Sequence, residues 1–173
     1  MSTTPDKATL DRIAQAHPKV REELGKIYQT ILTKLTGKSH CRFAYVVRTF
    51  AEQTALYNQG RNGNPGPVVT NAPAGLSIHN YGLAADIVLL VDKLGNGTFS
   101  QASWDTITDF DGDGISDWME VVAVFKSFGW SWGGDWASFK DLPHFEKTFG
   151  HKPSDLLALY KSGKKDAQGY VII

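Results

Sequence analysis

The stretch "SIHNYGLAADIVLLV" (residues 77–91) begins as a polar run and becomes apolar within a few residues. Its second part, residues 83–91, is apolar apart from Asp86 and has the length of a strand, which predicts a buried β-strand. His79 and Asp86 stand where the preceding loop meets this strand. The glycine and alanines between them allow the backbone to approach closely. We therefore expect the loop and the strand to bring these two polar side chains together.

The patterns on either side of this strand predict further elements. Apolar residues recur at helical spacing from Leu10 to Leu35, and Pro18 divides this stretch into two helices because proline is costly inside one. Residues 41–49 alternate, which predicts a half-buried strand with Phe43 and Tyr45 on the same side. The predicted helices are 6–16, 18–37, 50–60, 117–129 and 153–163, and the other predicted strands are 143–149 and 169–173. The Gly-, Pro- and Asn-rich segment 61–75 is predicted to be a long surface loop.

The composition is that of an ordinary globular protein. Of 173 residues, 42% are hydrophobic and 21% are charged. This length supports one sizeable core, so residues 1–173 are interpreted as a single domain. Helices and non-adjacent strands follow one another without a regular βαβ rhythm, which predicts the α+β class.

Charge, hydropathy and cysteine content exclude several classes of protein. The formal net charge is zero, which disfavours a nucleic-acid or anionic-membrane partner. No apolar run approaches the ~20 residues of a membrane-spanning helix. The N-terminus lacks the pattern of a secretory signal, so we expect synthesis in the cytoplasm without a signal peptide. The single cysteine, Cys41, rules out an intrachain disulfide and a cysteine-based zinc cluster.

A second polar motif, "DLPHFE" (residues 141–146), completes a candidate metal site. Catalytic zinc needs three protein ligands and one open position for water. His79 and Asp86 are candidates for two of them, and His144 is the candidate for the third. A single histidine is more often a hydrogen-bonded structural residue. These residues together are stronger evidence of a catalytic metal site, because Asp141, three residues before His144, is placed to act as a general base.

These motifs resemble those of a known family. "SIHNYGLAAD" and "DLPHFE" are similar to the two metal signatures of the zinc D-Ala-D-Ala carboxypeptidases and L-alanyl-D-glutamate endopeptidases, the VanY-like family with a phage endolysin branch. "VVRTFAEQTALYNQGR" (residues 46–61) resembles the upstream segment that carries a substrate-contacting arginine. "SWGGDW" (residues 131–136) resembles the segment before the last motif in the endopeptidase branch. The resemblance runs from about residue 17 to residue 149.

The resemblance implies a fold of the hedgehog/D,D-peptidase type, with a small antiparallel sheet flanked by helices. It implies Zn²⁺ held by His79, Asp86 and His144, with Asp141 as the catalytic base. Arg48 would polarise the carbonyl and bind the substrate, and Ser77 would help to orient it. Aspartate rather than glutamate at the base position resembles the L-alanyl-D-glutamate endopeptidases. The expected substrate is therefore the stem peptide of bacterial peptidoglycan, and the enzyme is expected to be monomeric and bacteriolytic. The lack of a visible signal peptide fits a phage lysin that reaches the cell wall after holin-mediated release, and it also fits a prophage or cellular wall-degrading enzyme.

A further acidic motif, "DFDGDGISDWME" (residues 109–120), has the spacing of a calcium loop. It resembles EF-hand loops and the calcium repeats of thrombospondin-type proteins, and it would be an insertion at about 105–120. The candidate Ca²⁺ ligands are Asp109, Asp111, Asp113, Ile115 (through its carbonyl), Asp117 and Glu120. The alternative is a solvated acidic turn that caps the next helix. Because the helix after the loop leads into residues 131–136, calcium is expected either to stabilise the domain or to regulate activity.

The sequence is also compatible with three other functions. The first is a D,D-carboxypeptidase or dipeptidase that removes terminal D-Ala. The second is a non-catalytic zinc or cell-wall-binding module, which would be expected to lack Asp141 or Arg48. The third is a calcium-dependent interaction protein. Five tryptophans lie in the second half of the chain, and most are expected in the core, with some available to line a substrate groove.

Overall fold

The apolar run that follows Asp86 forms the central strand of one antiparallel sheet. The computed structural model of the chain describes residues 4–173. The strands are β1 (Ser39–Tyr45), β2 (Ala84–Val91), β3 (Gln101–Ser103), β4 (Ser131–Trp132) and β5 (His144–Glu146). Their order is β1-β2-β5-β4, and β3 pairs with the far end of β2. The α+β class and the small antiparallel sheet are confirmed.

Helices flank this sheet at the predicted places. They are α1 (Lys7–Ala14), α2 (Pro18–Lys34), α3 (Phe50–Asn58), α4 (Asp117–Ser127) and α5 (Pro153–Lys161). Pro18 is in the first turn of α2, where its missing N–H costs nothing. The prediction that α2 reaches Gly37 is wrong, because Leu35 is already extended. Gly37 serves a close contact instead, since a side chain there would collide with Asp111.

The core lies between α2, α4 and the sheet. Its largest fully buried side chains include Trp118, Tyr28, Phe43, Phe125 and Phe145. The rings of Phe125 on α4 and Phe145 on β5 stack with centroids 4.1 Å apart. Burying side chains of this size contributes about 1.5–3 kcal/mol each, so this packing fixes α4 and β5 relative to each other. None of the described helices has the length and apolar character needed to span a membrane.

A bulge in β1 changes the side that its residues face. The pairing with β2 shifts register between Phe43 and Tyr45. As a result Tyr45 is 52% exposed and Val46 is 1% exposed, so the predicted alternation holds only as far as Phe43. The extra residue increases the local twist and redirects the end of the strand. The Val46 carbonyl and Arg48, which follow the bulge, are thereby directed at the polar residues of the 77–86 segment.

The prediction of a β-strand at residues 169–173 is wrong. Only a single bridge, between Lys165 and Val171, forms there. Val171 is nevertheless buried, as its apolar character indicated. Backbone bonds to residues 164 and 166 hold the segment on one side. On the other, His17 Nδ1 accepts from Lys19 N, which leaves Nε2 to donate to the Val171 carbonyl at 2.8 Å. The short strands β3 and β4 were not predicted, because two or three residues carry too little periodicity.

Candidate active site and metal centre

Three elements bring His79, Asp86 and His144 to one point. His79 lies on a 3₁₀ turn (Ile78–Tyr81), Asp86 lies in β2, and His144 opens β5. The β2–β5 register places Asp86 directly opposite His144. His79 Nε2 and His144 Nδ1 are each 3.0 Å from Asp86 Oδ1 and 3.2 Å from each other. The three side chains therefore offer converging nitrogen and oxygen atoms that could hold a metal ion.

The turn that carries His79 is fixed from both sides. Gly82 ends it in the left-handed conformation (φ 69°), and a side chain there would collide with the backbone of His17. His79 Nδ1 lies 3.0 Å from the Val46 carbonyl, which accepts its proton and leaves Nε2 free to face Asp86. The bulge in β1 thus determines which nitrogen of His79 points into the cluster.

His144 is oriented by a carboxylate that the sequence analysis did not identify. Its Nε2 lies 3.0 Å from Glu146 Oε2, while its Nδ1 faces Asp86. A carboxylate on the outer nitrogen of a ligating histidine is a common arrangement in metal sites, where it fixes the ring and raises its basicity. The available signal was the two-residue spacing, because residues two apart on a strand share a face.

The charges of the cluster depend on one another. Burial raises the pKa of the Asp86 carboxyl, but the His79 and His144 rings outweigh it and hold that pKa well below its usual range. Burial lowers the pKa of His144, but hydrogen bonds to Asp86 and Glu146 raise it to about 9. Two carboxylates around two imidazoles therefore favour positive charge at the centre, which suits a divalent cation.

Asp141 is placed beside this cluster by the segment 131–136. Its backbone N–H donates to the Gly133 carbonyl at 3.1 Å. A side chain on Gly133 would collide with the Asp141 carbonyl, so only glycine allows this approach. Burial, together with the negative charge of Asp86, raises the pKa of the Asp141 carboxyl. A carboxyl with a raised pKa in a cleft is suited to accept and release a proton.

Arg48 is held against the cluster rather than extending into solvent. Its Nη2 lies 3.4 Å from Asp86 Oδ2, and its backbone N–H donates to the His79 carbonyl at 3.0 Å. Its Nη1 donates at 2.9 Å to the side chain of Gln53, a buried residue that the sequence analysis missed. Its buried Nε has no hydrogen-bond partner among the described residues. Arg48 is thus held by Gln53 and Asp86, and its Nε remains without a partner within residues 4–173.

The three cluster residues, Arg48 and Asp141 line one cleft of about 640 Å³. Ser77 and Glu146 line the same cleft. Trp136 also lines it, with its ring centroid 5.3 Å from that of His144. Trp118, Trp130 and Trp132 are buried in the core, and Trp104 is exposed. The cleft therefore contains every predicted zinc-site residue and one of the five tryptophans.

The acidic loop lies elsewhere. None of its residues is among those that line the cleft. Donor atoms of Asp111, Asp113 and Glu120 converge, and so do those of Asp109, Asp111 and Asp117. Asp117 is buried at the start of α4, where its carboxylate accepts from the Phe110 N–H at 2.7 Å and from the Ser39 hydroxyl.

Comparison with known proteins agrees with the motifs. Residues 70–147 match a family described as D-alanyl-D-alanine carboxypeptidase. The peptidoglycan L-alanyl-D-glutamate endopeptidase CwlK of Bacillus subtilis (strain 168) is 48% identical over 99 residues, which is 57% of this chain and 55% of CwlK. The chain thus matches little more than half the length of that relative.

A solved structure shows the same fold. The crystal structure of the Serratia marcescens L-Ala D-Glu endopeptidase ChiX superposes with a TM-score of 0.52 at 20% identity, covering 83% of this chain and 88% of ChiX. Over residues 70–147, which hold all three cluster residues and Asp141, this chain is similar to the D-alanyl-D-alanine carboxypeptidase family, and the resemblance indicated by its two metal motifs is confirmed.

Proposed function

We propose that this chain is a zinc-dependent peptidase that hydrolyses the stem peptide of bacterial peptidoglycan at the bond between L-Ala and D-Glu. The observation that carries the proposal is the convergence of His79, Asp86 and His144 in one cleft with Asp141 and Arg48. The similarity to proteins named as L-alanyl-D-glutamate endopeptidases supports the choice of bond.

The donor set suits zinc. Two imidazoles and one carboxylate are the ligands of many catalytic zinc sites, which keep a further position for water. His79 would bind through Nε2 and His144 through Nδ1, since their other nitrogens face the Val46 carbonyl and Glu146. Bound there, zinc would supply a Lewis acid that activates a water molecule and polarises the scissile carbonyl.

The protein's own residues perform the remaining steps. Asp141 takes a proton from the attacking water and passes it to the leaving amine of D-Glu. Arg48, held by Gln53 and Asp86, turns its guanidinium towards the carbonyl oxygen, where negative charge develops. Ser77 on the cleft wall helps to orient the stem peptide. The buried position of Arg48 strengthens its contribution, because few water molecules compete for its donors.

The nature of the base favours the endopeptidase over a D,D-carboxypeptidase or dipeptidase. Asp141 is one methylene shorter than the glutamate that the carboxypeptidases commonly use, as in the endopeptidase branch that the sequence resembles. A non-catalytic wall-binding role does not account for Asp141 and Arg48 in the same cleft. The wider context proposed is a monomeric, single-domain, endolysin-like enzyme that is released to the cell wall through holin-type lesions.

We propose a second ion, calcium, in the loop 109–120. The supporting observation is the convergence of carboxylates from the loop and from the first turn of α4. After α4 the chain runs through Trp130 into β4 and then to Gly133, which contacts Asp141. Ordering the loop therefore supports the wall of the cleft that carries the base.

Product analysis tests the peptidase proposal. Purified peptidoglycan is incubated with the zinc-loaded chain, and the fragments are identified by mass spectrometry after labelling of new amino termini. New N-terminal D-Glu is expected. Release of D-Ala instead would identify the carboxypeptidase, and an unchanged digest would support a wall-binding module.

A further inference from the structure

The acidic loop is attached to the corner between α2 and β1. Thr36, in that corner, donates from its backbone N–H (3.0 Å) and its hydroxyl (3.1 Å) to Asp111 Oδ2. Gly37 packs so closely against the Asp111 backbone that no side chain would fit. Ser39, the first residue of β1, donates its hydroxyl to Asp117. The loop is therefore held in place by contacts with the rest of the fold.

Most carboxylates of the loop are engaged by hydrogen-bond donors. Asp109 accepts from the Gly112 N–H at 2.6 Å and the Gly114 N–H at 2.8 Å. Asp113 accepts from the Ile115 N–H at 2.8 Å. These bonds curl the loop so that several carboxylates face one another, an arrangement that is repulsive without a cation.

Glu120 is the exception. It is 7% exposed, and its Oε2 is buried without a hydrogen-bond partner among the described residues. Its carboxylate belongs to the converging group with Asp111 and Asp113. A buried carboxylate that has no hydrogen-bond partner and faces two others is destabilising, and a bound cation would offset this more fully than the charge of Lys34 does.

We infer that a calcium ion is held at Asp111, Asp113 and Glu120, and that it clamps α4 and the loop to the α2–β1 corner, with Asp117 as an anchor rather than a ligand. The inference rests on the proposed calcium site and assigns its ligands and its effect. The motif adds Asp109 and the carbonyl of Ile115 to the oxygen set. Asp117 is buried and accepts from the Phe110 N–H and from the Ser39 hydroxyl of β1, so it fastens the helix start to β1.

The ligand chemistry favours calcium over smaller ions. Calcium takes six to eight oxygen ligands with flexible geometry, and a glutamate at the last loop position supplies two of them. Magnesium demands a tighter octahedral set and keeps more of its water. The oxygen-only donor set also differs from the histidine-containing cleft, so the two sites are expected to take different ions.

The test measures calcium binding and unfolding on the full chain, stripped of metal and reloaded with one equivalent of zinc. Titration calorimetry with calcium chloride is expected to show one site, much weaker magnesium binding, and a rise in Tm with calcium. Glu120→Gln is expected to bind calcium roughly 100-fold more weakly or not at all, whereas Asp117→Asn weakens binding by about tenfold, as for a group outside the ligand shell. Asp11→Asn, an exposed acid on α1, is the matched control and leaves binding unchanged.

Melting temperatures measured with and without calcium distinguish the loss of a calcium ligand from a folding defect. Without calcium, Glu120→Gln is expected to melt at or above the wild-type Tm, since the substitution removes a repelled charge. With calcium, the wild type gains stability and the variant does not. Wild-type affinity in Glu120→Gln, or complete loss in Asp117→Asn alone, would overturn the ligand assignment. Absence of binding to the wild type at millimolar calcium would overturn the site itself. The zinc content of the same sample and its digestion of peptidoglycan test the proposed peptidase function separately.

Discussion

Arg48 Nη1 donates a hydrogen bond to Gln53 Oε1 at 2.9 Å, and this bond ties the proposed oxyanion group to the first turns of α3. Gln53 is fully buried, and its Nε2 donates in turn to the Ala72 carbonyl at 2.7 Å. Ala72 belongs to the long loop that lines the cleft. One side chain therefore connects the arginine, the helix and the cleft wall.

Gln53→Met should lower kcat more than it changes KM, because Arg48 loses its fixed orientation while the cleft keeps its shape. We expect about a tenfold loss, less than the ~10²–10³ for removal of an oxyanion donor itself. A double-mutant cycle with Arg48→Ala provides the readout: the second substitution should add little. Gln59→Met, which only removes a bond to the Pro67 carbonyl, is the control. Additive losses in the cycle would mean that Gln53 does not act through Arg48.

His79→Ala and His144→Ala should each abolish both zinc content and hydrolysis. Each removes one of three converging donors, and Asp86 keeps only one imidazole beside Arg48. The measurement is zinc per chain by atomic emission after dialysis, together with digestion of peptidoglycan. His40→Ala is the matched control, since His40 stacks on Phe99 on another part of the sheet. Retention of zinc by both variants would rule out this ligand set.

Glu146→Ala should weaken zinc binding roughly 10–100-fold without removing a ligand. The reason is the contact between Glu146 Oε2 and His144 Nε2, which holds the ring with Nδ1 towards Asp86. Competition with a zinc-binding dye gives the affinity. Activity should return when zinc is added in excess. A variant that is fully loaded at stoichiometric zinc and still inactive would place Glu146 in another role.

Asp6→Asn should destabilise the zinc-free chain by up to about 1 kcal/mol at neutral pH, because asparagine still caps α1 but loses the ion pair with Arg42. The Asp6 carboxylate accepts from Thr9 N at 3.0 Å and from Arg42 at 2.7 and 3.0 Å. Burial raises the pKa of Asp6, but these hydrogen bonds outweigh it and lower the pKa below its usual value. A lowered folded-state pKa stabilises above the unfolded-state pKa, and this stability is lost as the pH falls through the folded value.

Urea unfolding of wild type and Asp6→Asn at pH about 7 and about 3 measures that difference. The gap between the two proteins should shrink on acidification. A gap that is independent of pH would mean that the charge of Asp6 contributes nothing.

Much of the fold and the metal-binding cluster could be predicted from the sequence, because the signals are local. The apolar run after Asp86 is long enough to mark a buried strand, and His144 lies in a motif with its own spacing. Glu146 was detectable by the same two-residue spacing but was overlooked. These residues share a strand or a turn with the motif that identifies them.

The rest depends on contacts between distant segments. Gln53 is an ordinary polar residue of a short helix, and only its burial against Arg48 and Ala72 shows its role. The bulge in β1 follows from pairing with β2, which no pattern within residues 39–45 records. Residues 169–173 are apolar like a strand, but they pair with the backbone only around Lys165, and His17 binds the Val171 carbonyl.

The most direct test of the account compares the wild type with Asp141→Asn, both loaded with zinc, on purified peptidoglycan. Asp135→Asn, an exposed aspartate of the adjacent segment paired with Lys126, is the control. We expect one zinc per chain in all three proteins, new N-terminal D-Glu from the wild type and the control, and no fragments from Asp141→Asn. Wild-type release of D-Glu termini by zinc-loaded Asp141→Asn would contradict the assignment of Asp141 as the base.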